Sequence, residues 1–401
     1  MEKKGKKLAI LLTALFLGYT MVYIDKMSVA YSLIPIAKEW GLSPEIKGGV
    51  MSAFFLGYAM MQVPMGFAIN KVGSRRILIG SILGIGVFSF LFGVGTSILM
   101  LIVIRFLTGL IAHSGYASSA SKEVTMNFPM EQRTFAQGIL ISSSGCAAII
   151  GPLLLSPIIT YYGWRRAYQI LTIVAVVIAL ILIIVIPKEK VLSESKSKKS
   201  QVSLKEIWSD KRVWILFLGA FFINNILYGL INWLPSFLTD QIGLTLNQAA
   251  SVSSIAGVFS LIGAVGGSYI VGRFFQNREK IVVSVTSILG VVAAFLVYFV
   301  SSTVLLTFLL GIANLLLTIT FVSLMSIPLK IFSGSKFAPS YATLSTGGIM
   351  GGFVSPILIG FLVKMSNGLY ISTFIFFLIM GIFTALIILV LNTNTKEELE
   401  G

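Results

Sequence analysis

The chain is expected to fold as an all-α integral membrane protein, with twelve transmembrane helices arranged as two six-helix bundles. Three observations point there. Of the 401 residues, 56% are hydrophobic and only 11% are charged, and the mean hydropathy is +0.94; soluble domains do not have this balance. Apolar windows of about 20 residues recur along the whole length, each long enough to cross a hydrocarbon core of about 30 Å as a helix. One long hydrophilic stretch divides these windows six and six.

The first span covers residues 8–37 and carries Asp25 and Lys26 near its middle. It is too long and too polar at its centre for a cleaved signal peptide, so it is expected to remain as a helix. Spans two (49–69) and three (77–94) are joined by the basic loop GFAINKVGSRR. Span four (98–119) contains Arg105 and His113, and spans five (135–161) and six (167–186) complete the first half. The stretch KEKVLSESKSKKSQVSLKEIWSDKR reads as a solvated linker, which gives an N-terminal bundle at 1–187, a linker at 188–212 and a C-terminal bundle at 213–401. Spans seven to twelve follow at 213–238, 249–271, 281–300, 303–327, 341–363 and 369–391. Spans five and eleven both carry a run of small residues, then a proline, then a glycine turn. Such an internal repeat places binding sites near the membrane midplane, where the repeats meet.

Placing the N-terminus in the cytoplasm puts 23 Lys and Arg on cytoplasmic segments and 5 on external ones. Both termini are therefore expected in the cytoplasm, on a multi-pass protein of the cell membrane. The net charge of +15 is mostly topology, with basic segments lying against anionic lipid. Dispersed over loops, these cations do not form the stripe that nucleic acid requires. The single cysteine, Cys146, excludes an intrachain disulfide and a cysteine metal cluster. No metal cluster, phosphate-cradling loop or carboxylate pair is present in the sequence, so neither an enzyme nor a cofactor is expected and gradient coupling replaces ATP.

Within these span limits Asp25 is the sole acidic residue inside an apolar segment. An ionised side chain at membrane depth is costly and marks an ion or substrate path. Asp25 is accordingly expected to couple protons. Lys26 points about 100° away on the same helix and needs a separate task, the binding of an anion. On span four Arg105, Thr108, Gly109 and Ala112 share an α-helical face, with His113 about 80° round from Arg105. A guanidinium there suits a carboxylate, and His113 is a second candidate for titration.

The stretch VYIDKMSVAYSLIPIAKEWGLSPEIKGGVMSAFFLGYAMMQVPMGFAINKVGSRR resembles the major facilitator superfamily and, more narrowly, its anion:cation symporter family. Tyr23, Asp25 and Ala30 match the first-helix pattern, with Lys26 in place of the family arginine. Ser52, Ala53, Phe54, Gly57, Tyr58, Gln62, Pro64 and Gly66 match the second. RFLTGLIAHSGYASSASKE and NNILYGLINWLPSFL resemble the fourth- and seventh-helix patterns. Ala112 stands where the family usually has a second membrane glutamate. The basic loop resembles the superfamily gate signature, with Arg75 and Arg76 in place and Asn70 where an aspartate is usual.

The resemblance implies proton-coupled uptake of a small organic anion, a sugar acid or related carboxylate, by alternating access. It adds Tyr58 to the anion-binding set. Ser143, Asn224, Tyr228, Asn314 and Ser345 are further candidates, their neutral groups suited to hydroxyls. Trp233 is expected to anchor its helix at the membrane interface. The expected partners are the anion, protons and lipid, with the protein acting as a monomer. A proton-linked efflux antiporter of drugs or metabolites, an anion exchanger or uniporter, and a non-transporting receptor are the alternative readings.

Overall fold

The computed structural model describes residues 2–187, 204–332 and 334–392, and all regular structure among them is helical. The order is α1 (Glu2–Trp40), α2 (Pro44–Val72), α3 (Ser74–Gly93), α4 (Ile98–Leu107), a π-helical turn (Thr108–His113), α5 (Tyr116–Asn127), α6 (Met130–Val185), α7 (Leu204–Ser209) and α8 (Lys211–Asp240). It continues with α9 (Leu246–Phe274), α10 (Glu279–Val297), α11 (Thr303–Ser326), α12 (Pro328–Ile331), α13 (Gly334–Met365) and α14 (Ile371–Leu389). Among the described residues, ten helical runs are long and apolar enough to cross a membrane. One of them, Met130–Val185, is two spans joined at Gly163, whose φ of 80° breaks the helix. With α2, a further helix of 29 residues, these make the twelve spans.

Two details differ from the sequence expectation. The fourth span runs on through α5 as far as Asn127, so it contains a second acid, Glu123. That side chain is buried, accepting from Ser74 Oγ at 2.7 Å and from Asn127 Nδ2 at 3.0 Å. Asp25 is thus not the sole acid in an apolar run; two short polar donors make burial of Glu123 tolerable. Of the expected linker at 188–212, residues 188–203 lie outside the described residues, and the remainder holds helix α7 and the start of α8. Trp233 is no interfacial anchor, because it is buried and packs under the ammonium of Lys47 at 5.3 Å from its ring centre.

The chain forms two compact units, Met1–Leu192 with Ile231–Ser254, and Ser193–Leu230 with Ile255–Gly401. In the first, α1 and α3 both lie along α6, and α2 crosses α4 and the π turn. That crossing is a backbone contact. A Cβ on Gly57 would come within 2.1 Å of the Phe106 carbonyl oxygen, and one on Gly109 within 2.0 Å of the Phe54 carbonyl oxygen. Small residues permit this approach where hydrophobicity cannot drive helices together in lipid. The segment 231–254 also belongs here: Lys47 Nζ donates to Ser236 Oγ at 2.8 Å and lies 3.5 Å from Asp240 Oδ2, and Ser156 donates to Asn247 at 2.6 Å.

At the end of α1 opposite its N-terminus, Glu39 accepts from Trp164 Nε1 and from Arg165 Nη1, each at 2.8 Å. Both donors directly follow Gly163, so this cluster ties α1 to the turn inside α6. Arg75 donates to the carbonyls of Ile186 and Ile183 at 2.8 Å. It thereby satisfies carbonyls that the end of a helix leaves without partners.

The second unit uses the same devices. Ser287 donates to the Gly381 carbonyl at 2.9 Å and Ser355 to the Asn225 carbonyl at 2.6 Å, while Thr286 and Thr320 share a bond of 2.7 Å. A Cβ on Gly351 would meet the Phe221 carbonyl oxygen at 2.5 Å, so α13 and α8 touch through their backbones.

Gly109→Ala is expected to force α2 and the π turn apart and to cost about 1–3 kcal/mol, the usual penalty of overpacking. Gly138→Ala, where an added Cβ meets nothing within 4 Å, should leave stability unchanged or slightly raised. Thermal unfolding midpoints of the detergent-purified variants test the contrast.

Candidate functional site

The site is built around Asp25, which is 1% exposed in the interior of the first unit. Its Oδ2 lies 2.9 Å from His113 Nε2 and 3.5 Å from Arg105 Nη1, and its Oδ1 accepts from Ser89 Oγ at 3.2 Å. With Asp25 ionised, a state in which a carboxylate only accepts, the imidazole donates to it through Nε2. Four helical elements therefore converge on one carboxylate: α1 supplies Asp25, α3 Ser89, α4 Arg105 and the π turn His113. Behind them Ser28 donates to the Asp25 carbonyl at 2.7 Å and lies 3.0 Å from the Tyr168 hydroxyl. Arg105 and His113 are both buried.

Phe54 on α2 is the apolar counterpart of Asp25. The Arg105 guanidinium lies 4.7 Å from its ring centre, the His113 ring meets it edge-on at 4.7 Å, and Tyr58 stacks on it at 6.1 Å. Lys26, half-buried, directs its ammonium toward the rings of Phe55, Phe54 and Tyr23 at 5.0, 5.9 and 6.0 Å. Such cation–π contacts help to hold a cation in a partly dry place. The guanidinium Nε of Arg105 is buried and has no hydrogen-bond partner among the described residues. The fork therefore faces Asp25 with one nitrogen and keeps a second donor uncommitted. A carboxylate or other oxyanion is the natural acceptor for such a donor.

The structure brings Asp25, His113, Arg105, Lys26 and Tyr58 together around Phe54. Ser143 is buried with its hydroxyl turned back to the Leu140 carbonyl at 2.6 Å. Asn224 and Asn314 donate to the carbonyls of Ala220 and Leu310 at 2.8 and 2.9 Å, and a Cβ on Gly348 would press against Asn224 Nδ2. Tyr228 and Ser345 are half-buried residues of the same second unit. Arg76 is exposed, Arg75 caps α6 as described, and the side chain of Asn70 lies outside the described residues.

Ser89 and Phe54 were not foreseen as site residues. Nothing in the apolar run around Ser89 distinguishes it from other small packing residues, and Phe54 was visible only as one position of the second-helix motif. A serine hydroxyl within an α3 otherwise rich in Ile, Leu, Phe and Gly was the one available signal.

Comparison with known proteins places the chain in a family. The sequence profile of the Major Facilitator Superfamily matches residues 15–338. The chain belongs to that superfamily, a family of transporters and not of enzymes. It is 27% identical over 394 residues to the probable sulfoacetate transporter SauU of Cupriavidus necator, covering 92% of this chain and 90% of that one. It is also 25% identical to a quinolone resistance transporter of Acinetobacter baumannii, with 90% and 89% of the two chains covered. A probable galactarate/D-glucarate transporter of Bacillus subtilis, GudP, is 24% identical, with 66% of each chain covered. Among solved structures, a bacterial homologue of the human lysosomal transporter Spinster aligns with a TM-score of 0.77 at 18% identity, covering 94% of this chain and 96% of that one. The fold is shared with that structure.

Removing Arg105 leaves Asp25 buried with less compensation. Arg105→Met is expected to destabilise the protein by about 3 kcal/mol, as when one partner of a buried ion pair is deleted. Adding Asp25→Asn to that variant should restore part of the loss, because the unpaired charge is then gone. Unfolding midpoints of the two single variants and the double variant measure the coupling.

Proposed function

We propose that the protein is a secondary active transporter that moves a small organic anion, a sugar acid or related carboxylate, into the cell together with protons. The observation that carries this reading is the Asp25–His113–Arg105 cluster, in which a single buried carboxylate is shared by an imidazole and a guanidinium. With Asp25 ionised, Arg105 charged and His113 neutral, the trio is balanced. One added proton leaves it with a net positive charge, and at a few ångströms in a poorly polarisable interior that charge strongly favours an incoming anion. Binding of proton and anion then reinforce each other, and the coupling is reciprocal by linkage.

In this reading protonation loosens the hold of Asp25 on Arg105, and the guanidinium turns its fork to the substrate. Lys26, held among Tyr23, Phe54 and Phe55, supplies the second positive charge. The groups that face the titrating pair are Arg105, Ser89 and, one residue removed, Lys26. Tyr58 and Ser143 in the first unit, and Asn224, Tyr228, Asn314 and Ser345 in the second, are assigned to the neutral groups of the substrate. Asn70, Arg75 and Arg76 are assigned to the gate. The charge distribution of the loops supports a cell-membrane protein with both termini in the cytoplasm. The names of SauU and GudP, transporters of a sulfonated carboxylate and of sugar diacids, support the substrate class. The relative named for quinolone resistance favours a second reading, in which the same cluster exchanges an inward proton for an outward substrate.

Proteoliposomes carrying an imposed pH gradient, supplied with labelled sulfoacetate or D-glucarate, test the proposal. The wild-type protein should accumulate the anion. Asp25→Asn should reduce accumulation at least about fivefold, the lower end of ordinary coupling, while sparing counterflow exchange. Lys26→Ala should raise the anion concentration needed for half-maximal uptake. Uptake that ignores the gradient would refute proton coupling, and export of a quinolone from loaded vesicles without anion uptake would select the second reading.

A further inference from the structure

The fourth span is not a uniform helix. Regular α-helix runs from Ile98 to Leu107, the backbone then makes a π turn over Thr108–His113, and α-helix resumes at Tyr116. A π turn carries its hydrogen bonds to the fifth residue and so holds one residue more than the α-turn it replaces; such bulges recur at functional sites. Here the extra residue lies between the two groups that share Asp25.

The arithmetic of the helix gives this a consequence. At about 100° per residue, the position seven residues after Arg105 falls about 20° short of two full turns and the position eight residues after falls about 80° beyond them. In unbroken α-helix Ala112 would therefore lie on the Arg105 face and His113 would be turned away. The structure shows the reverse. His113 Nε2 lies 2.9 Å and Arg105 Nη1 lies 3.5 Å from the same carboxylate oxygen. Ala112 is turned onto α3, where a Cβ built on Gly84 would come within 3.2 Å of its own Cβ. The turn is pinned where it begins, since Gly109 sits against the Phe54 carbonyl oxygen with no room for a side chain.

We propose that the π turn is a register device: it absorbs one residue, so that position 113 and not position 112 is the partner of Asp25. Gly109, which pins the turn against α2, is in this sense a positioning residue, acting on the carboxylate through His113. The inference deepens the proton-coupling reading and rests on it for its purpose, while its geometry can be tested without any substrate.

The test compares two single-residue deletions. Ile111 lies in the turn and Val103 in regular α4, and the two are similarly exposed, 49% and 46%. Deleting Ile111 should convert the turn to α-helix and leave Arg105 and His113 both on Asp25. Deleting Val103, where no spare residue exists, should rotate one part of the helix by about 100° against the other.

The readout is the imidazole itself. His113 is the one histidine of the chain, so full-length protein labelled with 15N-histidine and freed of any histidine tag gives a single set of ring-nitrogen resonances. In the wild type, Asp25→Asn should displace the hydrogen-bonded Nε2 resonance. The Ile111 deletion should remain monodisperse, with an unfolding midpoint near that of the wild type, and should show the same response to Asp25→Asn. The Val103 deletion should lose either folding or the response. An Ile111 deletion as damaging as that of Val103, or one that folds with an imidazole indifferent to Asp25, overturns the inference. An imidazole that answers to Asp25 in both the wild type and the Ile111 deletion, in a protein whose uptake ignores the pH gradient, upholds the register and removes the proton-coupling reading alone.

Discussion

Burying one carboxylate sets the terms for the first unit. An ion taken out of water loses several kcal/mol of solvation, and only well-placed partners return it. Asp25 gathers an imidazole, a guanidinium and a hydroxyl from three different elements. Those elements must hold their spacing for the charge to be tolerated. The close backbone crossing of α2 with α4, the packing of α3 along α6 and the irregular turn between α4 and α5 all serve that convergence.

Phe54 shows how the apolar and ionic parts are joined. Its carbonyl is the wall against which Gly109 rests, and its ring lies against the imidazole and the guanidinium. One residue thus sets the backbone separation and the electrostatic surroundings together. An aromatic face offers a cation some attraction without the competing pull of a second acid. The arrangement leaves Asp25 as the one carboxylate bonded to His113 and Arg105 among the described residues, while Glu123 is engaged by Ser74 and Asn127.

Much of this was legible in the chain itself. Apolar windows of the right length gave the helices, and ionisable residues within them gave Asp25, Lys26, Arg105 and His113, because charge at membrane depth needs a reason. What escaped were features without a compositional mark. Helical periodicity assumes a uniform rise, so it put His113 about 80° from Arg105 and could not register an extra residue absorbed in a turn. Hydropathy drew the end of the fourth span at Ser119 and so missed Glu123, whose burial depends on Ser74 about fifty residues earlier in the chain. Trp233 read as an interfacial aromatic because its partner, Lys47, is distant in sequence. Each of these depends on a contact between segments that are not neighbours, and a linear pattern carries no record of it.

The cluster of Glu39, Trp164 and Arg165 bears on how the helix carrying Asp25 can move. Gly163 joins the two long arms of α6 through a single non-helical residue, so there is no slack loop to stretch. By tying α1 to that corner, the cluster makes one end of the helix a fulcrum. Asp25 lies some fifteen residues away, about 22 Å along the helix, so a tilt of a few degrees about the fulcrum displaces the carboxylate by roughly 1–2 Å. A shift of that size is comparable to the difference between a made and a broken hydrogen bond. A long helix held at that corner is in this sense a lever arm, over whose length a small rotation changes the distance between Asp25 and the groups bonded to it.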